Sequence, residues 1–489
     1  MRNFFRTARL LVLTVASISI VTAAATAGQP NILFIMVDDL GKDWISCYGA
    51  DDIETPRIDA LASGGMKFHN AWSMPQCTPT RTTLLTGQYP WRTGWVNHWD
   101  VPRWGVGYFD WREHTTFARI MKTAGYTTCA AGKWQINDFR LEPEAMRKHG
   151  FDDWCMWTGY ESQNPPSEKR YWDAYINTPQ GSRTRREAFG PDVYADYLID
   201  FMKANHDKPM CLYFPMALTH GPLVHTPSEP DVKTGREKLS AMVRHTDHLV
   251  GRLVDTLDEL KIRERTFIIF TTDNGTSGNL RGTVNGVRPS GGKASKYEGG
   301  VSEPFIVNCP GTVAAGSETD ALTDFSDLLP TFAELGGATL PADTVSDGVS
   351  IAPVILGKAD DTPRKWILAM GHGAAVFDER GIHGRTPYVG RVLRDKRWKV
   401  WVNEQGQIDQ LYDMQQDPLE QTNLLAADGT GPAAAAASLK ILREAVAAMP
   451  AQDAQPRYLP RAANSWDMKP KSSADRNAKP RQKKRRGKE

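Results

Sequence analysis

The sequence predicts an α/β fold: a mostly parallel central sheet flanked by helices, with a small C-terminal α+β subdomain that contains an antiparallel sheet. Three observations predict it. Several apolar runs lack polar alternation, as strands buried on both faces require. Helical segments separate those runs. Each run also ends in polar residues, which α/β sheets collect along one edge.

The elements follow in chain order. Residues 31–37, Asn-Ile-Leu-Phe-Ile-Met-Val, form the first apolar run, and Asp38-Asp39 closes it. Residues 126–131 make a short strand ending in Gly132-Lys133-Trp134-Gln135. Residues 210–218 make another, ending in Thr219-His220-Gly221-Pro222. The run at 266–271 leads into Asp273-Asn274-Gly275. The one at 304–307 follows Gly291-Gly292-Lys293 and Tyr297-Glu298-Gly299-Gly300. Helices are predicted around 116–124, 191–205 and 239–260. From Trp366 the pattern changes. Residues 392–402 partly alternate, which suits an antiparallel strand. Residues 429–448 are alanine-rich and predicted helical after Pro432.

With 489 residues the chain is long for one core, which predicts more than one domain. The net charge of +2 is unevenly spread: the last 21 residues carry +8 and the leader +3, which leaves the body near −9. An acidic body argues against nucleic acid as the main ligand. Arg2, Arg6 and Arg9, the apolar stretch 10–21 and Ala25-Thr26-Ala27 read as a signal peptide cleaved near Ala27. The protein is therefore expected to be secreted or periplasmic. The apolar stretch is short for a membrane span, so no stable membrane insertion is expected. The predicted division is a signal peptide at 1–27, a main domain at 28–365, the small subdomain at 366–461 and a basic disordered tail at 462–489.

The candidate site centres on Cys77-Thr78-Pro79-Thr80-Arg81, which runs into an apolar, helix-like segment. Proline fits the first turn of a helix, which places Cys77 at or just before a helix N-terminus, where backbone N–H groups favour anions. Arg81 adds a planar positive fork suited to a tetrahedral oxyanion. Asp38, Asp39, Asp273 and Asn274 offer only hard oxygen donors, which suit Ca²⁺ or Mg²⁺ rather than zinc. Lys133, His220 and Lys293 follow elements of the same sheet and would surround a bound anion.

Cys-x-Pro-x-Arg followed by x-x-Leu-x-Thr-Gly resembles the signature of the type I sulfatases, members of the alkaline phosphatase superfamily. Gly132-Lys133-Trp134, His220-Gly221-Pro222 and Gly292-Lys293-Ala-Ser-Lys-Tyr297-Glu298-Gly299-Gly300 match further motifs of that family. So does the late Leu411-Tyr412-Asp413…Asp417-Pro418…Glu420…Asn423-Leu424. The resemblance implies an alkaline phosphatase-like fold and a sulfatase catalytic domain at 28–365. It also implies oxidation of Cys77 to formylglycine by a maturase. One Ca²⁺ would be held by Asp38, Asp39, residue 77, Asp273 and Asn274. The hydrated residue 77, oriented by Arg81, would attack sulfur while Lys133 and Lys293 neutralise the sulfate oxygens. His220, with Lys293, would protonate the departing alkoxide. With Cys77 committed, the other five cysteines cannot all pair, which leaves room for one or two disulfides.

Many relatives carry histidine where this chain has Gln135, and glutamine cannot act as a base. His98, Lys133 and a metal-polarised hydroxyl are the alternatives for the second proton transfer. The expected substrate is a sulfated small molecule or glycan. Trp91, Trp95, Trp99, Trp104 and Trp111 cluster after the signature and could stack on sugar rings. The first three fall at i, i+4, i+8, which helix packing explains equally. Gln135, His98, His225, Arg103 and Trp99 are the substrate-binding candidates. Two competing readings share these features: a formylglycine-dependent phosphodiester or phosphonate hydrolase, and a catalytically impaired protein that binds sulfated glycans.

Overall fold

The computed structural model describes residues 28–97, 109–159, 161, 165–371, 376–378, 381–383 and 386–456. The predicted signal peptide, the basic tail, His98, Trp99, Arg103 and Trp104 lie outside the described residues.

Asn31–Val37 lies inside a ten-stranded sheet, paired in parallel with Met210–Pro215 on one side and Thr266–Thr272 on the other. Its continuous apolar run is explained by burial on both faces. Ile32, Phe34 and Met36 enter one core, and Leu33, Ile35 and Val37 the other. Beyond Met210–Pro215 come Thr127–Lys133 and Asp153–Trp157, both parallel, and then an antiparallel edge hairpin. On the far side, Phe305–Asn308 pairs antiparallel with both Thr266–Thr272 and Met66–Trp72. Ser317–Asp324 completes that edge, parallel to Met66–Trp72.

The reversed strand matters for the site. The loop carrying Lys293 precedes Phe305–Asn308 in the chain, so the strand's amino end must sit where its neighbours have their carboxyl ends. Reversal brings Lys293 to the same edge as Asp38, Lys133, His220 and Asp273.

The helix Gly235–Glu259 starts at Thr234, where the Thr234 hydroxyl and the Glu237 carboxylate each satisfy a backbone N–H at the first turn. The second sheet, Ile367–Met370, Arg391–Arg394, Trp398–Val402 and Ile408–Asp413, is antiparallel throughout. The helix Ala436–Ala447 lays Leu439 and Leu442 against its Val400 and Leu411. Apart from Cys77, the cysteines form no disulfide with one another. No helix of the described residues is long and apolar enough to cross a membrane.

Candidate active site

The strand Met66–Trp72 delivers the chain to the helix Cys77–Thr86 at the sheet's carboxyl edge. Gln76 is the N-cap and Cys77 the first helical residue, so the side chain at 77 meets the positive end of the helix. Gly87, at φ 67°, ends the helix in the left-handed conformation. All ten helical residues are buried. The Thr80 hydroxyl donates to the Asp273 carbonyl at 2.7 Å and locks the first turn to the strand Thr266–Thr272.

Arg81 lies one turn further, fully enclosed. Its Nη2 donates to Asp273 Oδ2 at 2.7 Å and its Nη1 to the Lys133 carbonyl at 3.2 Å. Lys133 ends its strand and pairs with Asp38 Oδ2. Gly132 permits this: at φ 129°, a Cβ there would lie 2.0 Å from the Pro215 carbonyl oxygen. From the reversed side, Lys293 Nζ donates to Asp39 Oδ2 at 2.7 Å. His220 Nε2 stands 3.7 Å from the same oxygen, and Asn274 Nδ2 donates to Asp39 Oδ1 at 2.9 Å.

Backbone strain gathers here. Asp39, Gln135 and Ala294 hold φ of 62°, 67° and 66°, left-handed values that side chains other than glycine rarely adopt. Each sits on a loop at the sheet edge and is pinned by its neighbours. The Asp39 N–H donates to Asp273 Oδ1 at 3.2 Å, and the Ala294 N–H to the Pro75 carbonyl at 2.7 Å.

The electrostatics are those of a carboxylate set in demand of positive charge. Burial raises the Asp38 carboxyl, but Lys133, His220 and Arg81 outweigh it and hold it well below the usual carboxylate range. For Asp39, Lys293 and His220 overcome burial in the same way. Asp273 goes the other way: burial and the neighbouring Asp38 charge push it well up despite Arg81. Burial would lower the Lys293 ammonium, yet Asp39 lifts it above its ordinary value. Burial brings His220 down to about 4.

Two oxygens, Asp38 Oδ1 and Asn274 Oδ1, are buried without a hydrogen-bond partner among the described residues. Buried polar atoms are nearly always satisfied. Asp38, residue 77 and Asp273 also present donor atoms within 4.8 Å of one another. A divalent cation would satisfy both orphan oxygens and relieve Asp273, so the donor set fits Ca²⁺ or Mg²⁺.

A family model described as Sulfatase matches residues 30–338, more than half of the chain. The chain belongs to the sulfatase family. It is a type I sulfatase, a sulfuric ester hydrolase. A second model, N-sulphoglucosamine sulphohydrolase, C-terminal, matches residues 292–445. N-acetylgalactosamine-6-sulfatase of Canis lupus familiaris is 34% identical, over 71% of this chain and 69% of its own. Arylsulfatase A of Homo sapiens is 32% identical, over 70% of each. Among solved structures, one described as Ps i-CgsB superposes with a TM-score of 0.73 at 26% identity, covering 88% of this chain and 94% of its own.

In this sulfatase the structure brings together Asp38, Asp39, Cys77, Arg81, Lys133, Gln135, His220, Lys293, Asp273 and Asn274. Gln135 is buried, and its Oε1 lies 3.7 Å from Cys77 Sγ. The His225 ring packs on Trp172 at 5.0 Å. Among the described residues, Trp91 and Trp95 do not share a helix, because the helix there covers only Pro90–Thr93. Trp91 stacks beside Tyr89, and Trp95 packs edge-on to Phe109 in the core.

Two features were not read from the sequence. Arg170 Nη1 lies 3.0 Å from His220 Nδ1 and its guanidinium 4.0 Å over Trp157, although no periodicity or motif marks it. The second is a suture between the Lys293 loop and the second sheet. Lys399 Nζ donates to the Lys296 carbonyl at 2.8 Å and to Glu420 Oε1 at 2.7 Å. It also reaches Glu298 Oε1 at 3.2 Å, and Ser290 Oγ donates to the Leu419 carbonyl at 2.7 Å. Glu420 belonged to a recognised motif, but only the fold reveals its partner.

Proposed function

We propose that this sulfatase hydrolyses a sulfate ester on a carbohydrate, with Cys77 oxidised to formylglycine and a Ca²⁺ held by Asp38, Asp39, residue 77, Asp273 and Asn274. The supporting observation is the convergence on one sheet edge: residue 77 at a helix N-terminus, three cationic side chains around it, and two buried oxygens short of a donor. The carbohydrate assignment draws on the similarity to N-acetylgalactosamine-6-sulfatase. It also draws on the Ps i-CgsB structure in complex with k-i-k-neocarrahexaose, 25% identical with a TM-score of 0.73. The leader at residues 1–27 supports secretion or export to the periplasm.

Once formed, the hydrated aldehyde and the cation would together supply the oxygen nucleophile that an unmodified thiol cannot. The chain's own residues do the rest. Arg81, held by Asp273 and the Lys133 carbonyl, fixes the first helical turn and its charge. Lys133 and Lys293 neutralise the sulfate oxygens. Their lysine charges and that of Arg81 balance Asp38, Asp39 and Asp273, so a bound cation leaves the site positive toward an anionic ester. Lys293, kept protonated by Asp39, supplies the proton for the departing sugar oxygen, and the neutral His220 imidazole on the other side of Asp39 relays it. Arg170 holds the imidazole from behind. Gln135 accepts a hydrogen bond from residue 77 and orients it, but takes no proton.

The test is inorganic sulfate release from sulfated saccharides, alongside a phosphodiester and a sulfate ester of the same phenol, by protein whose residue 77 has been checked by peptide mass. Sulfate release that Cys77→Ala abolishes is expected. Hydrolysis of the phosphodiester alone overturns the proposal.

A further inference from the structure

Lys296 lies three residues beyond Lys293 on the same loop and is not used by the proposed chemistry. Its ammonium has no hydrogen-bond or ion-pair partner among the described residues. It is half-buried, 5.6 Å over the Trp401 ring, and burial holds its pKa below lysine's ordinary value. It faces a cavity of about 320 Å³ between the Lys293 loop and the hairpin Trp398–Val402 with Ile408–Asp413. A single sugar ring suits a cavity of that size, at the small end of ligand pockets.

The cavity's walls are tied to segments beside the reactive centre. Its far wall is Asn97, next to Val96. A Cβ on Gly371 would lie 2.8 Å from the Val96 carbonyl and 3.5 Å from Pro79, in the first turn of the Cys77 helix. The near wall begins at Lys296, on the loop that bonds to the Pro75 carbonyl through Ala294. Both walls therefore start from segments that flank residue 77.

The lining decides what fits. Glu404, Asp409, Gln405, Gln410 and Asn97 present carboxylates and amides around the one ammonium. Two carboxylates against one lysine leave a net charge of −1. A second sulfate or a uronate would face those carboxylates across a narrow space, and like charges there are disfavoured. Hydroxyl groups meet no such penalty: they donate to carboxylates and accept from the lysine and the amides.

We propose that this cavity is a subsite for an uncharged pyranose ring linked to the sulfated sugar, so that the substrate is a glycan with a neutral neighbour. This rests on the carbohydrate sulfatase reading above. The test compares 6-sulfated N-acetylgalactosamine alone, the same sugar linked to galactose, and the same sugar linked to a uronic acid. The galactose-linked substrate should have the highest kcat/KM, through a lower KM. In Lys296→Met its advantage over the monosaccharide should fall about tenfold, the worth of one charge-assisted hydrogen bond. Glu404→Gln, an exposed change that spares the fold, should narrow the gap between galactose and uronate neighbours.

Equal kcat/KM for all three substrates, or a preference for the uronate, overturns the subsite while the sulfatase reading stands. If no saccharide releases sulfate, that reading fails instead. Saturation-transfer NMR of the unsulfated neutral disaccharide then decides the subsite: contact in the wild type that weakens in Lys296→Met supports it, and no contact overturns it.

Discussion

Replacing Lys399 with methionine should both destabilise the protein and loosen the loop that carries Lys293. The Lys399 and Glu420 side chains have no exposed surface, and their ion pair measures 2.7 Å. Lys399 Nζ also serves the Lys296 carbonyl and Glu298. Removing the ammonium leaves Glu420 buried beside Glu298, with Trp401 Nε1 and the Glu298 N–H as its remaining donors. Breaking one side of a buried pair costs about 3–5 kcal/mol. Glu420→Gln in the Lys399→Met background removes the stranded charge, so the double variant should recover about 1–3 kcal/mol of coupling. The assay is urea unfolding of the four proteins in a double-mutant cycle, with amide exchange followed over residues 290–301. Exchange there should rise in Lys399→Met, while residues 266–272 in the sheet stay protected. Turnover should fall more on saccharide sulfates than on an aryl sulfate, whose better leaving group depends less on Lys293. Additive stability changes with unaltered loop exchange would refute the reasoning.

Three further outcomes follow from the geometry. Gly132→Ala should cost at least about 3 kcal/mol by urea unfolding, because the residue needs φ 129° and its Cβ would strike the Pro215 carbonyl; a change below about 1 kcal/mol would contradict this close approach. Buried His149, whose Nε2 lies 3.1 Å from the Phe109 carbonyl, is pushed by burial down to about 3 from an ordinary 6.5. The unfolded chain therefore takes up a proton that the native one refuses, and stability falls as pH drops from 6.5 toward 3, by about 4–5 kcal/mol in total. His149→Gln should flatten that acid limb in unfolding curves measured between those pH values, and an unchanged limb would contradict the assignment. Chelation of divalent cations should lower the melting temperature, and Ca²⁺ should restore it by mass action, about 2.7 kcal/mol at a hundredfold excess over Kd. A melting curve indifferent to chelator would mean that the lysines alone neutralise Asp38, Asp39 and Asp273.

The central sheet was legible because its strands are buried on both faces. Ile32 through Val37 could carry no polar alternation, and Asp38-Asp39 marked the edge at once. Much of the site was legible for the same reason, since Asp38-Asp39, Lys133, His220 and Asp273-Asn274 each closed an apolar run. Met66–Trp72 escaped notice because Lys67, His69 and Asn70 break the run, even though it leads straight to Cys77. The reversal of Phe305–Asn308 was equally hidden, because strand direction is set by pairing rather than composition. Arg170, and Lys399 as the partner of Glu420, lie far in sequence from what they touch. The spacing of Trp91 and Trp95 could not decide between stacking and helix packing, because Gly94, at φ 78°, ends the helix after one turn.

The most direct test of the central claim is the rate of inorganic sulfate release from 6-sulfated N-acetylgalactosamine linked to galactose, by protein shown by mass to carry the aldehyde at residue 77. The geometry predicts turnover that disappears in Cys77→Ala and falls at least about a hundredfold in Lys133→Met or Lys293→Met. Turnover that persists in Cys77→Ala, or no release by the fully converted protein, would contradict it.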